Sequence, residues 1–160
     1  RKINNISISS TKIRDLLKEG NIDSANKYLD EYFVLTGMVI KGKGRGKLLG
    51  FPTANIKIKD EYKLIPNNAV YIVSSYIDSK IYYGMMNIGK NPTFPDKKKS
   101  IEVHFFDLDY NIYNKNISIK LIKRIRDEKK FNSPESLIDQ LELDRGFSLK
   151  YLKEKVIEIK

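Results

Sequence analysis

The 160-residue sequence has no cysteine. That excludes a disulfide scaffold, a thiol nucleophile and a Cys-based zinc site. A single histidine, His104, excludes any multi-histidine metal site. No apolar run approaches the roughly 18 residues of a membrane-spanning helix, and the first residues do not read as a secretory signal peptide. A reduced, cytoplasmic compartment is the expectation. The chain opens on Arg1 rather than Met, which leads us to expect a piece of a longer protein.

What is present is basic. Lys plus Arg is 30 and Asp plus Glu is 20, a formal charge of +10. Such a sum suggests nucleic acid, an anionic membrane or a polyphosphate as partner. The composition is biased, however: 24 Lys, 22 Ile and 13 Asn fit a background of AT-rich codons. The location of the charges is therefore more informative than their total. Hydrophobic residues make up 41%, enough for a core in a chain of one-domain length.

Residues 1–32 read as helical. Ser10 suits a helix cap ahead of Ile13, Leu16 and Leu17, and Gly20 suits its stop. Asp23 suits the cap of a second short helix that groups Ala25, Tyr28 and Leu29. From residue 33 the texture changes. Phe33–Ile40, Ala54–Ile58, Ala69–Ile77, Ile81–Ile88, Ile101–Asp107 and Ile117–Ile125 are short β-branched and aromatic runs, separated by Gly, Pro, Asn, Asp and Lys. Six such runs predict an antiparallel sheet closed as a barrel or a sandwich. Asp78-Ser79-Lys80 is short enough for a hairpin connection. Asn132-Ser133-Pro134-Glu135 then signals a helix start. Leu137, Ile138 and Leu141 form its apolar face, and Leu149, Leu152, Val156 and Ile159 resume helical spacing after Gly146.

The densest chemical signal is Lys41-Gly42-Lys43-Gly44-Arg45-Gly46-Lys47, four cations and three glycines without an acid. Glycines let backbone N–H groups approach an anion, and the cations offset its charge. The spacing fits neither G-x-x-x-x-G-K-[ST] nor G-x-G-x-x-G. A nucleotide triphosphate would suit the loop; a solvated hairpin has the same composition. Gly50-Phe51-Pro52-Thr53-Ala54-Asn55 follows. Pro52 favours an extended chain before it, and Thr53 and Asn55 share one face of a strand. A hydroxyl and an amide oxygen so placed suit Mg²⁺ beside phosphates, or simply a solvent-facing edge.

In Ser100-Ile101-Glu102-Val103-His104-Phe105, alternation directs Ile101, Val103 and Phe105 to the core and puts Glu102 and His104 on the other face. A carboxylate there suits acceptance of a hydroxyl proton in phosphoryl transfer; a plain polar face looks the same. His104 alone reads as structural rather than catalytic. Met86-Asn87-Ile88-Gly89-Lys90-Asn91-Pro92-Thr93-Phe94 is a turn, or the wall of a planar ligand's site. Arg124, Arg126, Asp127, Glu128 and Phe131 are a solvated charge run or a closing loop.

These motifs, in order and spacing over about residues 33–145, resemble the riboflavin kinase domain of bacterial bifunctional riboflavin kinase/FAD synthetases. Leu49-Gly50-Phe51-Pro52-Thr53-Ala54-Asn55, Asn87-Ile88-Gly89 with Asn91-Pro92-Thr93-Phe94, Ile101-Glu102-Val103-His104 and Ile125-Arg126-Asp127-Glu128 carry the resemblance. It implies a six-stranded antiparallel Greek-key barrel with C-terminal helices, and transfer of phosphate from ATP to the 5′-hydroxyl of riboflavin to give FMN, with Mg²⁺. By position it implies Glu102 as the catalytic base. Gly42, Lys43, Gly44, Arg45, Gly46, Lys47, Gly50, Pro52, Thr53 and Asn55 would bind nucleotide, with Thr53 and Asn55 at the metal. Asn91, Thr93, Arg126 and Glu128 would adjoin the flavin.

Ile8-Ser9-Ser10-Thr11-Lys12-Ile13-Arg14 resembles the end of the same family's adenylyltransferase domain. Residues 1–32 are therefore expected to be the tail of that domain or a linker, and residues 33–160 the kinase domain. The adenylyltransferase domain itself would precede this chain, since its histidine-rich nucleotide motif has no counterpart here; FAD synthesis is expected of the longer protein alone. Riboflavin and ATP are the expected partners, without nucleic acid or membrane. Asp30, Ala69 and Asn114 stand where the family commonly has Gly. The competing reading is a basic barrel that binds single-stranded nucleic acid through its aromatics.

Overall fold

Each strand carries alternate side chains inward, and six such strands close on themselves. In a computed structural model, which describes residues 10–42, 50–59, 64–90 and 99–159, the strands are β1 (Phe33–Ile40), β2 (Ala54–Ile58), β3 (Ala69–Ile77), β4 (Lys80–Lys90), β5 (Lys99–Phe105) and β6 (Asn116–Asp127). They form a closed barrel in the order β1-β2-β5-β4-β3-β6, with every pairing antiparallel. Placing β2 beside β5, outside the β3-β4-β5 succession, makes the Greek key. Leu35, Val39, Tyr71, Val73, Met86, Ile88, Val103, Ile119 and Leu121 are completely buried inside. Tyr71 reaches its hydroxyl to the Asn67 carbonyl at 2.7 Å, and burial pushes the phenol up to about 12.

Two helices precede the barrel, α1 (Ser10–Lys18) and α2 (Ile22–Leu29). Leu16, Leu17, Ile22 and Ala25 join the barrel's own core. Asn26 ties them to it: its amide donates to the Leu121 carbonyl at 2.9 Å, and its oxygen accepts from the Phe33 N–H at 2.8 Å. The second helix differs from the sequence expectation at its start. Its cap is Asn21, which accepts from the Ser24 N–H, so Ile22 rather than Tyr28 turns inward. Asp23, freed from capping, meets Lys123 at 2.9 Å.

The C-terminal segment is one helix, α3 (Pro134–Ile159), not two. Ser133 caps it as expected, accepting from the Ser136 N–H. Gly146 lies inside with open space beside its α carbon, and the helix runs through it. Its buried line also differs from an apolar stripe. Asp144 and Ser148 are buried, while Leu143, Phe147 and Leu149 are exposed. Leu141 and Leu152 pack on a second, smaller core outside the barrel, made of Phe51, Val70, Met85 and Phe106.

Two register shifts mark the β3–β6 pairing. Val70 pairs with Arg126 but Tyr71 pairs with Arg124, so one extra residue separates the two arginines' rungs. Residues two apart would otherwise share a face. The bulge sends Arg124 toward Tyr71 and Gly20 and Arg126 outward toward α3.

Several loops use left-handed backbone. Asp30 (φ 58°) and Asn114 (φ 69°) are left-handed, and Asp and Asn are the non-glycine residues that tolerate it best. Both stand where the resemblance expects Gly, and both adopt a left-handed backbone that Gly favours. Asp78 and Ser79 are both left-handed (φ 49° and 71°) between paired Ile77 and Lys80. This is the geometry of a two-residue type I′ hairpin, which favours glycine second. Ser79→Gly is expected to stabilise the protein by about 1 kcal/mol, read as a higher denaturation midpoint with an unchanged denaturant slope.

Candidate active site

One row of the barrel carries three of the polar candidates, Asn55, Glu102 and Arg126. Across it, Asn55 is opposite Glu102, Glu102 is opposite Asn87, Asn87 opposite Val70, and Val70 opposite Arg126. Residues directly opposite in an antiparallel pair share a face. Their inward neighbours Ala54, Val103, Met86 and Ala69 belong to the core, so the row faces outward. Residues far apart in sequence thus lie side by side on the outer wall, where the second core and α3 approach.

Thr53, just before β2, donates its hydroxyl to Glu102 Oε1 at 3.1 Å. Both side chains are half-buried. Asn55 lies against Gly42: a Cβ at residue 42 would fall on the Asn55 carboxamide. Gly42 therefore makes the space that Asn55 occupies. Gly50 is left-handed (φ 84°) with nothing near its α carbon, so its backbone angle is what calls for glycine.

Pro52 stays exposed between buried Phe51 and half-buried Thr53. Its carbonyl accepts from His104 Nδ1 at 2.8 Å. His104 is buried between the rings of Phe51 and Phe106, edge-on to both. Burial pushes the imidazole pKa down; the Pro52 bond opposes that, and the Arg145 charge adds to it. Arg145, from α3, lies 5.5 Å over the Phe51 ring.

Around the wall, Arg126 is engaged by α3. Its guanidinium donates to both Asp144 oxygens, at 3.0, 3.1 and 2.8 Å, and to the Asp127 carbonyl at 2.9 Å. Asp144 also accepts from Gln140 at 2.9 Å. Glu128 rests on Gly89, where a Cβ would meet its carboxylate, and accepts from Asn68 at 3.4 Å. Lys99, whose amine donates to the Pro66 carbonyl, is close enough to feel Glu128, but burial lowers its pKa more than that charge raises it.

The structure thus brings together Gly42, Pro52, Thr53, Asn55 and Glu102, and places Arg126 and Glu128 further along the sheet. Lys43, Gly44, Arg45, Gly46, Lys47, Asn91 and Thr93 lie outside the described residues. The row adds Asn87, an exposed amide directly beside Glu102. Only the register of β4 with β5 reveals it. A groove of about 450 Å³ lies elsewhere, between α2, β6 and α3, lined by Asp23, Asn26, Lys123, Tyr151 and Lys155 among others. It contains none of these candidates.

Among the described residues no group of three or more His, Asp or Glu is placed to hold a metal ion. The oxygens of Thr53, Asn55 and Glu102 are hard donors of the kind Mg²⁺ takes when phosphates complete its shell. The donor set fits that ion. No helix among the described residues is long and apolar enough to cross a membrane.

Known proteins resemble this chain in sequence and architecture. A family model described as riboflavin kinase matches residues 29–152. A bifunctional riboflavin kinase/FMN adenylyltransferase of Bacillus subtilis is 40% identical over 147 residues, covering 90% of this chain and 46% of its own length. The Listeria monocytogenes protein of the same description is 44% identical over 138 residues, covering 86% of this chain and 44% of its own length. The chain therefore spans about half the length of these curated relatives. A Streptococcus pneumoniae structure described as a macrolide-efflux protein superposes with a TM-score of 0.83 at 36% identity, covering 92% of this chain and 48% of the other. A riboflavin kinase from Trypanosoma brucei shares the fold, with a TM-score of 0.54 at 23% identity over 75% of this chain and 79% of its own.

The Arg126–Asp144 pair is 16% and 2% exposed. Removing one partner strands the other's charge where water reaches it poorly. Asp144→Ala is expected to lower the unfolding free energy by about 3 kcal/mol, measured by urea denaturation, with Arg126→Ala/Asp144→Ala losing less than the two single losses summed.

Proposed function

Because the chain belongs to the riboflavin kinase family, we propose that it transfers the γ-phosphoryl group of ATP to the 5′-hydroxyl of riboflavin, giving FMN and ADP. The observation that carries the mechanism is the contact between Thr53 and Glu102 beside Asn55. In the transfer, the ribityl oxygen forms a bond to the γ-phosphorus as the bond to the β,γ-bridging oxygen breaks. The leaving oxygen keeps the electron pair. The hydroxyl proton goes to the Glu102 carboxylate, which has acceptor capacity beyond its bond from Thr53. Phosphoryl transfer demands mainly alignment and charge neutralisation, with a carboxylate to orient the nucleophile.

Thr53 and Asn55 would hold Mg²⁺, which when bound would neutralise charge on the phosphate oxygens. The hydroxyl of Thr53, just before β2, orients Glu102. Gly42 keeps the Asn55 amide in the outward-facing row. The cations and glycines of residues 42–50 would cover the phosphates. Asn91, Thr93 and Glu128 would adjoin the flavin, and Arg126 would serve that side by fixing α3 through Asp144.

Residues 1–32 would continue from an FMN adenylyltransferase domain, so the longer protein would make FAD from the FMN formed here. This work would take place in the cytoplasm. A barrel that stacks single-stranded bases is not favoured, because the family match and the curated relatives are riboflavin kinases.

The direct test is ATP-dependent FMN formation by the purified chain, resolved by chromatography; no FMN at saturating riboflavin and MgATP overturns the proposal. Glu102→Gln is expected to lower kcat by about 10²–10⁴-fold with riboflavin affinity retained. Gly42→Ala, which displaces the Asn55 amide, is expected to raise the KM for MgATP about tenfold or more while the melting temperature stays close to that of the unaltered chain.

A further inference from the structure

The nucleotide-side segment is held to the barrel in an unusual way. β2 and β5 are paired at only two positions, Ala54 with Val103 and Asn55 with Glu102. Continuing that register by one residue brings Thr53 opposite His104. The backbone leaves the strand there, since residues 51–53 are not part of β2. Pro52 has no N–H and cannot donate to a ladder. The main chain thus supplies no further rung just where Thr53 must be placed against Glu102.

A side chain closes that gap. His104 Nδ1 lies 2.8 Å from the Pro52 carbonyl oxygen. A carbonyl oxygen only accepts, so Nδ1 carries the proton and donates. The ring has little freedom to do otherwise. Its centroid is 5.2 Å from that of Phe51 and 5.7 Å from that of Phe106, with interplanar angles of 64° and 75°. Phe51 is itself covered by the Arg145 guanidinium of α3. His104 therefore connects three things: the strand that bears Glu102, the residue before Thr53, and the packing beneath α3.

We propose that His104 is a positioning residue for phosphoryl transfer, its Nδ1–H bond to the Pro52 carbonyl replacing a missing strand rung and fixing the Thr53 hydroxyl and Asn55 amide relative to Glu102. This rests on the kinase reading above. His104 touches none of the reacting atoms in this role. It acts on the two side chains that would face the nucleotide phosphates, so its loss is felt on the MgATP side rather than the flavin side.

The isosteric pair His104→Asn and His104→Leu separates the hydrogen bond from packing, because the two side chains differ in the donor and not in size. His104→Phe keeps an aromatic ring between Phe51 and Phe106 but also lacks the donor. Steady-state FMN formation is measured with MgATP and riboflavin varied separately, alongside thermal unfolding without nucleotide. His104→Leu and His104→Phe are expected to raise the KM for MgATP about tenfold, with the KM for riboflavin within about twofold, and His104→Asn to lie within about threefold of the unaltered chain on both. The inference is overturned if His104→Leu and His104→Asn show the same MgATP KM. It is also overturned if MgATP and riboflavin parameters worsen together in step with the loss of thermal stability, which is the signature of a packing role alone. Should His104→Phe fail to fold, the Asn and Leu comparison decides by itself. Failure of the unaltered chain to form FMN overturns the kinase reading, and this inference with it; activity in the unaltered chain with insensitive variants overturns this inference alone.

Discussion

The site hangs on the short antiparallel contact of β2 with β5. Two rungs bring Asn55 opposite Glu102, and the Thr53 hydroxyl then reaches the Glu102 carboxylate. Because side chains alternate, a slip of one residue would turn Glu102 inward and Val103 outward. Inward, the carboxylate would meet a completely buried apolar interior. The desolvation of a charge there is large enough to forbid the slipped register. The same alternation that builds the core therefore locks the polar row outside it. The functional geometry and the fold share one constraint.

The outer wall needs a roof, and α3 provides it by polar means as much as apolar ones. Leu141 and Leu152 reach the small cluster around Phe51 and Met85. Asp144 meets Arg126 from β6 and also Gln140 from its own helix. Ser148 donates back to the Asp144 carbonyl at 2.7 Å. A nonpolar contact slides with little directional preference, whereas a two-pronged guanidinium–carboxylate pair fixes both distance and orientation. That arrangement sets how α3 lies over the row that carries Glu102, and leaves Leu143, Phe147 and Leu149 facing outward.

Much of this is legible in the sequence. The strand starts and ends agree with the β-branched runs to within a few residues, because Gly, Pro, Asn and Asp punctuate them. Ser133-Pro134 marked the start of α3 for the same kind of local reason. What was not readable depended on partners distant in the chain. Asn21 and Asp23 are both good caps, and only the docking of Ile22 into the barrel core decides between them. The buried line of α3 passes through Asp144 and Ser148, so a search for apolar spacing points to Leu149 instead. Residue type and strand alternation point to Thr53, Asn55 and Glu102. Their proximity, and the place of Asn87 beside them, follows from strand order, which no local pattern encodes. The sequence reads His104 as structural, but what it holds in place is not legible there, because Phe51, its ring neighbour, lies more than fifty residues earlier.

The closing seam of the barrel joins β1 to β6, the first strand to the last. Asn26 bridges to Leu121 across the same seam. By contrast, β3 and β4 are joined by two residues, and β3 pairs with β4 along its whole length. Local contacts form quickly, and contacts across long loops must wait for chain closure. The hairpin is therefore the natural early structure, and the seam is among the last contacts to form. On a ribosome, β1 and the helices before it emerge long before their partner strand exists. Until β6 arrives, β1 is an open sheet edge, its Leu35 and Val39 without the cover they have in the finished barrel. The order of synthesis thus leaves this barrel exposed at β1, the strand that leads directly into the glycine- and lysine-rich segment from residue 41.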